Sequence, residues 1–388
     1  MRFRRLLVPL LILLTTAVSF PVRGQDADTN TIDDAAQTYA NIVRATYLDS
    51  HDAAKDLLRV VREFVDAPTQ AGLESAKAAW NTAREPYLQS EVFRFSGGPI
   101  DDEDGPEPFL NAWPLDEGFI DYVEGFPKQG IVNQSDLYPA ITKEVLVELN
   151  EKEGETMIST GYHAIEFLLW GQDLSEDGPG ARPMTDYTTH PNAARRKAYL
   201  VVCCELLVEH LEGLVKEWQS DIDGNYRSQF LADRKRSLWQ VVAGARQFAG
   251  VEFGSDRLLV AWDTQLQEEE HSCFSDTTHR DVIFDAQGLE NVLMGRYDFQ
   301  GPINRRLVGI GLIALAKDFD SALAVSIEAS LATVTEAAES IPVPFDQAIL
   351  GEDDAPGRVA IFATVTALEH LAGQLAKLEA ALAAELKR

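Results

Sequence analysis

The sequence predicts an all-α fold built from helical bundles. Apolar residues recur at three- and four-residue steps over most of the chain, convincing runs of period-two alternation are absent, and the Gly- and Pro-rich stretches fall between the helical patterns. At 388 residues the chain exceeds one ordinary domain, so two bundles are expected. Hydrophobic residues make up 45% and charged residues 25%, which excludes a disordered or collagen-like chain.

Taken in order, 31–48 and 53–65 read as amphipathic helices and 71–95 as a longer one carrying Trp80, Tyr87 and Phe93. Pro86 lies inside that third pattern and predicts a kink or break. Residues 97–111 read as a Gly-, Pro- and acid-rich loop. Further helices are expected at 136–151, 156–170, 191–219, 227–249, 256–270, 303–341 and 357–387. The last sets Val359, Phe362, Val365, Leu368, Leu371, Leu375 and Leu378 on one apolar stripe. The loop 173–192, with Gly178, Pro179, Gly180, Pro183 and Pro191, marks the boundary between a bundle at 25–185 and a second at 186–388.

A weak internal repeat suggests a degenerate duplication. Glu166-Phe-Leu-Leu-Trp-Gly171 resembles Glu290-Asn-Val-Leu-Met-Gly295, and Leu88-Gln-Ser-Glu91 resembles Leu266-Gln-Glu-Glu269. Order is kept and spacing is not, which implies a long insertion in the first copy.

Residues 1–24 have the order of a secretory signal: Arg2, Arg4 and Arg5, an apolar run over 6–14, then Val22 and Gly24 before an expected cleavage. The run is too short to span a bilayer, which takes about 20 residues. No other stretch looks long enough, and no Cys follows it to carry a lipid. The expected product is exported and periplasmic, at most peripherally attached to a membrane. Net charge is -28, with 34 basic against 62 acidic residues. That argues against nucleic acid as a partner and suits attraction of cations. Three cysteines, Cys203, Cys204 and Cys273, do not make a disulfide framework and read as buried thiols.

The chemistry-bearing segment is Thr160-Gly161-Tyr162-His163-Ala164-Ile165-Glu166-Phe167-Leu168-Leu169-Trp170-Gly171. On a helix His163 and Glu166 stand ~60° apart on neighbouring turns, so one imidazole and one carboxylate can meet a metal ion together. Two ligands do not make a site, and a hydrogen-bonded core pair explains the same spacing. His-Glu-x-x-His is absent, and His-x-x-Glu-His fails at Phe167, so a hydrolytic zinc would need ligands from elsewhere.

Gly-x-His-x-x-Glu followed by an apolar run and Trp-Gly resembles the signature of the imelysin family. Segments 83–93, 111–116, 182–187 and 268–279 are similar to the family pattern as well. The family includes peptidases, iron-regulated proteins and a periplasmic component of ferrous-iron uptake. The resemblance implies two helical bundles with a site in the cleft between them. It makes His163 and Glu166 metal ligands, with Glu91 as the next choice; the alternative for Glu91 is a salt bridge to Arg84 or Arg94. In the second copy Gln287 replaces His163.

The segment 268–279 concentrates acids, hydroxyls, two imidazoles and a thiol. Glu269, His271, Ser272, Cys273, Ser275, Asp276 and His279 are expected to shape the cleft, with metal ligation by His271 or His279 as the alternative. Gly161, Asp116, Arg182, Asp186 and Tyr187 complete the expected lining, the last three as polar support or as an interdomain contact. The acidic run Asp101-Asp102-Glu103-Asp104 lacks the oxygen spacing of a calcium loop.

These features lead to an exported protein that binds one metal ion, iron ahead of zinc, in iron uptake or homeostasis. The alternatives are a zinc metallopeptidase and a metal-free cleft for a peptide or small ligand. A membrane iron-uptake protein is the expected macromolecular partner.

Overall fold

The computed structural model describes residues 29–175, 178–301 and 304–387. The signal pattern at 1–24 lies outside them. Among the described residues the fold is helical apart from one small hairpin.

Helix α1 (Thr29–Asp66) joins the two helices expected at 31–48 and 53–65. The polar stretch between them points into the protein: Asp49 and Ser50 are buried, and Tyr297 Oη donates to Asp49 Oδ2 at 2.9 Å. An acid satisfied from outside its own helix does not break it. Helix α2 (Gln70–Leu88) is capped by Thr69, whose hydroxyl accepts from Gly72 N at 3.1 Å. It runs past Pro86 and ends two residues later, giving way to a 3-10 turn at Glu91–Phe93. The break is therefore displaced from the proline.

Helix α3 (Gly161–Trp170) is buried at every position. Of the span expected to be helical at 136–151, only Lys143–Leu149 is. Helix α4 (Ala193–Glu217) follows the Pro-rich loop. Helix α5 (Arg234–Gln247) continues through a π-helical stretch, Phe248–Leu259, into Val260–Thr264. Two predicted helices are thus one continuous element. Helix α6 (Thr278–Met294) ends at Gly295, whose φ of 71° supplies the left-handed cap.

The span 303–341, expected as one helix, is not. Strand β1 (Arg296–Phe299) pairs antiparallel with β2 (Arg305–Val308), Arg296 opposite Val308, and α7 (Leu312–Phe319) and α8 (Ser321–Glu339) follow. Asp320 starts α8 by accepting from Ala322 N at 2.8 Å, which separates it from α7. Strands this short leave almost no periodic signal. Helix α9 (Pro356–Glu385) is long and apolar enough to cross a membrane, contrary to the sequence expectation, yet about half of it is buried in the fold. Ile361, Val365, Leu368, Leu371, Leu375 and Leu378 form its inward stripe, whereas Val359 and Phe362, expected on it, are exposed.

Helices α1 to α4 pack as one group, and α5 with its π stretch, α6, α8 and α9 as another. Because α4 lies against α1 and α3, the first group extends beyond the expected boundary at 185–186. A single buried apolar cluster runs through both groups. Cys203, Cys204 and Cys273 are free and buried within it.

Candidate functional site

The motif glycine is a backbone requirement. Gly161 sits at φ 87°, and a Cβ there would lie 2.6 Å from the Leu110 carbonyl oxygen. This close approach seats the start of α3 against the 107–111 segment and turns His163 and Glu166 toward the second helix group. His163 Nδ1 lies 3.1 Å from Glu166 Oε2, and both side chains are fully enclosed. Ser275 holds the other carboxyl oxygen twice, its backbone N–H at 3.0 Å and its hydroxyl at 2.7 Å. Among the described residues His163 Nε2 has no hydrogen-bond partner.

Facing this pair is a second imidazole. The His271 ring meets the His163 ring edge-on, 4.8 Å between centroids. Its Nδ1 is 2.8 Å from Asp281 Oδ2, which also accepts from Ser272 Oγ at 2.6 Å and Arg84 Nη2 at 2.9 Å. His271 Nε2 has a weak 3.5 Å contact with the Asn111 amide. Trp113 covers His163 with its ring centroid 4.8 Å away and also packs on Phe274.

Burial dominates the electrostatics. It pushes Glu166 up to about 8, against the Ser275 hydroxyl and the Arg84 guanidinium. Burial, reinforced by Arg84, takes His163 well below the usual imidazole range. Burial and Arg257 lower His271 to about 4 although Asp281 opposes them. At Asp281 the Arg84 charge and the His271 and Ser272 hydrogen bonds outweigh burial, so it is firmly ionised.

Glu91 does not join His163 and Glu166. It lies on the 3-10 turn after α2, where Arg257 binds it and Arg94 Nη1 approaches to 3.2 Å. Burial alone would raise its carboxyl, but Arg257 and Arg94 bring it to about 2. The expected trio therefore does not form; the ion-pair alternative at Arg94 does. Among the described residues, no three His, Cys, Asp or Glu side chains group as a metal-ligand set. Arg257 also donates to Asp285 Oδ2 at 2.8 Å and to Glu252 Oε1 at 2.9 Å.

A cavity of about 390 Å³ adjoins this network, bounded by Trp113, Asn111, His271, Arg94 and Arg257. Five acids on its wall, Glu107, Glu151, Glu252, Asp256 and Glu269, outnumber the two arginines. Glu269 and His271 line it. Asp116 and Cys273 line a neighbouring hollow of about 470 Å³ on the far side of Trp113. Asp186 and Tyr187 are buried and wall neither. With Arg182 they brace α3 from behind: Arg182 Nη2 donates to the Phe167 carbonyl at 2.9 Å and Tyr187 Oη to the Leu168 carbonyl at 2.6 Å. Arg182 Nη1 also bridges Asp121 and Asp186 at 2.9 and 3.0 Å. Asp276 is buried just after Ser275, and His279 is half-buried in the first turn of α6.

Sequence reasoning missed Arg257, Asp281 and Asp285, and gave Arg84 the wrong partner. Their signal was phase: Asp281 and Asp285 fall on the same α6 face as buried Leu289 and Val292, and Arg84 sits among Trp80, Ala83 and Tyr87. A charge on an apolar stripe needs a buried partner. The repeat also has local counterparts. Leu266–Glu269 overlaps a 3-10 turn like that at Glu91, Gly171 and Gly295 both end helices with positive φ, and Gln287 Nε2 donates to Glu290 Oε2 at 3.0 Å.

An all-helical fold with a buried Gly-x-His-x-x-Glu helix between two helix groups places the chain in a class, and sequence comparison identifies it. The sequence model of the imelysin family matches residues 43–375, so the chain belongs to that family. Iron-regulated protein A of Synechococcus elongatus is 25% identical over 346 residues, covering 86% of this chain and 82% of that protein. The fold is shared with a protein from Parabacteroides distasonis assigned as an iron-regulated protein A precursor (TM-score 0.71, 18% identity, 93% of this chain and 97% of that one). It is shared as well with an imelysin-like protein from Psychrobacter arcticum (TM-score 0.59, 15% identity, 94% and 96%).

Proposed function

We propose that the protein is an exported component of iron handling that takes an iron ion as cargo at the buried His163. The observation carrying this reading is His163 Nε2, which is enclosed and unpartnered while Nδ1 is fixed by Glu166 and Glu166 is fixed by Ser275. Metal-binding histidines are commonly oriented this way, by a carboxylate on the far nitrogen. Burial favours the protonated Glu166 at neutral pH, so metal entry must displace that proton; the carboxylate then accepts from Nδ1–H and Nε2 carries the lone pair. His271 is the nearest second nitrogen, and Asp281 orients it in the same manner. In this reading Glu166 positions His163, and Glu91 is no ligand.

Imidazole nitrogens suit iron and zinc alike. The iron-regulated relative favours iron, and the acidic wall of the adjoining cavity favours entry of a cation. Two imidazoles leave most of a coordination sphere to water or to the cargo's own ligands, which fits reversible capture better than a closed structural site. A hydrolytic zinc centre takes three protein ligands, so the peptidase reading has less support. The signal pattern at 1–24 and the precursor form of the Parabacteroides protein support export.

One observation favours a second reading: among the described residues the one side-chain hydrogen bond of His163 is to Glu166, as in a purely structural pair. The cavity would then take a metal-free polar ligand. Elemental mass spectrometry after loading with Fe²⁺, Fe³⁺ or Zn²⁺ separates the two. Cargo capture gives about one iron per chain, lost in His163→Ala, weakened in Glu166→Ala and kept in Glu91→Gln. No bound metal in the unaltered chain, or metal retained in His163→Ala, overturns it.

A further inference from the structure

The side chains around His163 differ in how they are held. Glu166 is fixed by Ser275, and His271 by Asp281. Trp113, 4.8 Å from His163 between ring centroids, is held by packing: among the described residues no hydrogen bond fixes its indole, and its other aromatic neighbour is Phe274 at 5.9 Å. Glu166 is 0% and His271 3% exposed, whereas Trp113 is half-buried. The neighbour held most loosely is thus also the one that reaches the surface.

His163 lines neither of the hollows that flank Trp113. A cation in the acid-walled cavity of about 390 Å³ faces Trp113 and His271, and it does not meet His163 Nε2 until a side chain moves. Trp113 borders that cavity and the hollow of about 470 Å³ as well. The second hollow has more than the volume of an indole. Its wall carries Leu115, Val123, Phe126 and Phe274, with Phe126 63% exposed. An indole swung into it would cover apolar surface that now meets water, which offsets the contacts it gives up on His163. Moving Glu166 or His271 instead would break hydrogen bonds of buried polar groups, at greater cost.

We propose that Trp113 is the gate of the His163 site. Closed, as in this structure, it seals the imidazole from water. Open, its indole rests against Leu115, Val123 and Phe126, and His163 Nε2 faces the acid-walled cavity. The gate's purpose rests on the cargo reading of His163; its motion does not.

Diethyl pyrocarbonate, which acylates a neutral imidazole, tests the gate without metal. The intact protein is treated near neutral pH, and the peptide carrying His163 is followed by mass spectrometry with exposed His370 as the internal reference. In the unaltered chain His163 should label more slowly than His370. Trp113→Ala should speed His163 labelling about tenfold, the scale of one lost aromatic contact. Phe126→Ser removes the surface on which the open indole rests and should slow it about threefold. His370 should label at one rate in all three chains. Buried Cys203 should stay closed to iodoacetamide in both variants, which separates gating from general loosening. Should Cys203 react in Trp113→Ala, the Phe126→Ser rate decides. His163 labelling no faster in Trp113→Ala, or not slowed in Phe126→Ser, overturns the proposal. With Fe²⁺, capture and release should both quicken in Trp113→Ala. If no chain binds iron, the cargo reading falls, and the labelling rates still decide the gate.

Discussion

Replacing Arg257 by Met puts the buried charge network to a quantitative test. The guanidinium lies on the π-helical stretch, 7% exposed, and serves Glu91, Glu252 and Asp285 together. Without it Glu91, 1% exposed, keeps only Arg94 at 3.2 Å. In the intact protein the Glu91 carboxyl falls from 4.5 to about 2. At about 1.4 kcal/mol per pH unit that is on the order of 3 kcal/mol of stability. A depressed carboxyl contributes fully above its unfolded value and loses the contribution as pH falls from 4.5 toward 2. In Arg257→Met burial prevails over Arg94 alone, the carboxyl rises, and the sign reverses, so acid now favours the folded state. The variant should therefore lose about 3–5 kcal/mol at pH 7, the cost of stripping one partner from buried charges. The deficit should shrink as pH falls through the carboxylate range. Urea unfolding followed by tryptophan fluorescence at pH 4 to 8 measures both. A deficit under about 1 kcal/mol at pH 7, or one that stays constant with pH, would refute the reasoning.

Gly161→Ala should cost about 2 kcal/mol or more, read as a drop in Tm, because the added Cβ meets the Leu110 carbonyl and the φ of 87° is lost to it. Ser275→Ala leaves Glu166 Oε1 with the backbone N–H alone, and iron retention should weaken by about 10- to 100-fold while the fold persists by circular dichroism. Cys203, Cys204 and Cys273 should ignore Ellman's reagent in the native protein and react once denaturant is added; burial pushes all three thiols up. Rapid native labelling would show that the cysteine-bearing core opens.

Helix class and the motif pair were legible because both depend on near neighbours. The 3.6-residue period exposes the buried stripe of α9, and a three-residue spacing on any helix brings His163 to Glu166. The requirement for glycine at 161 was visible as a motif position, but its cause, the Leu110 carbonyl, was not. The hairpin at 296–308 escaped because four-residue strands barely register in a periodicity reading. Glu91 was misassigned because its partner Arg257 is 166 residues away in sequence. His271, expected to shape a cleft, faces His163 across 108 positions, and nothing between them in the sequence fixes that meeting. The sequence alone determined the helical class and which pairs share a turn, because local backbone geometry enforces both. Which charges neutralise one another, and which nitrogen is left unpartnered, was decided only when the two helix groups packed and removed those side chains from water.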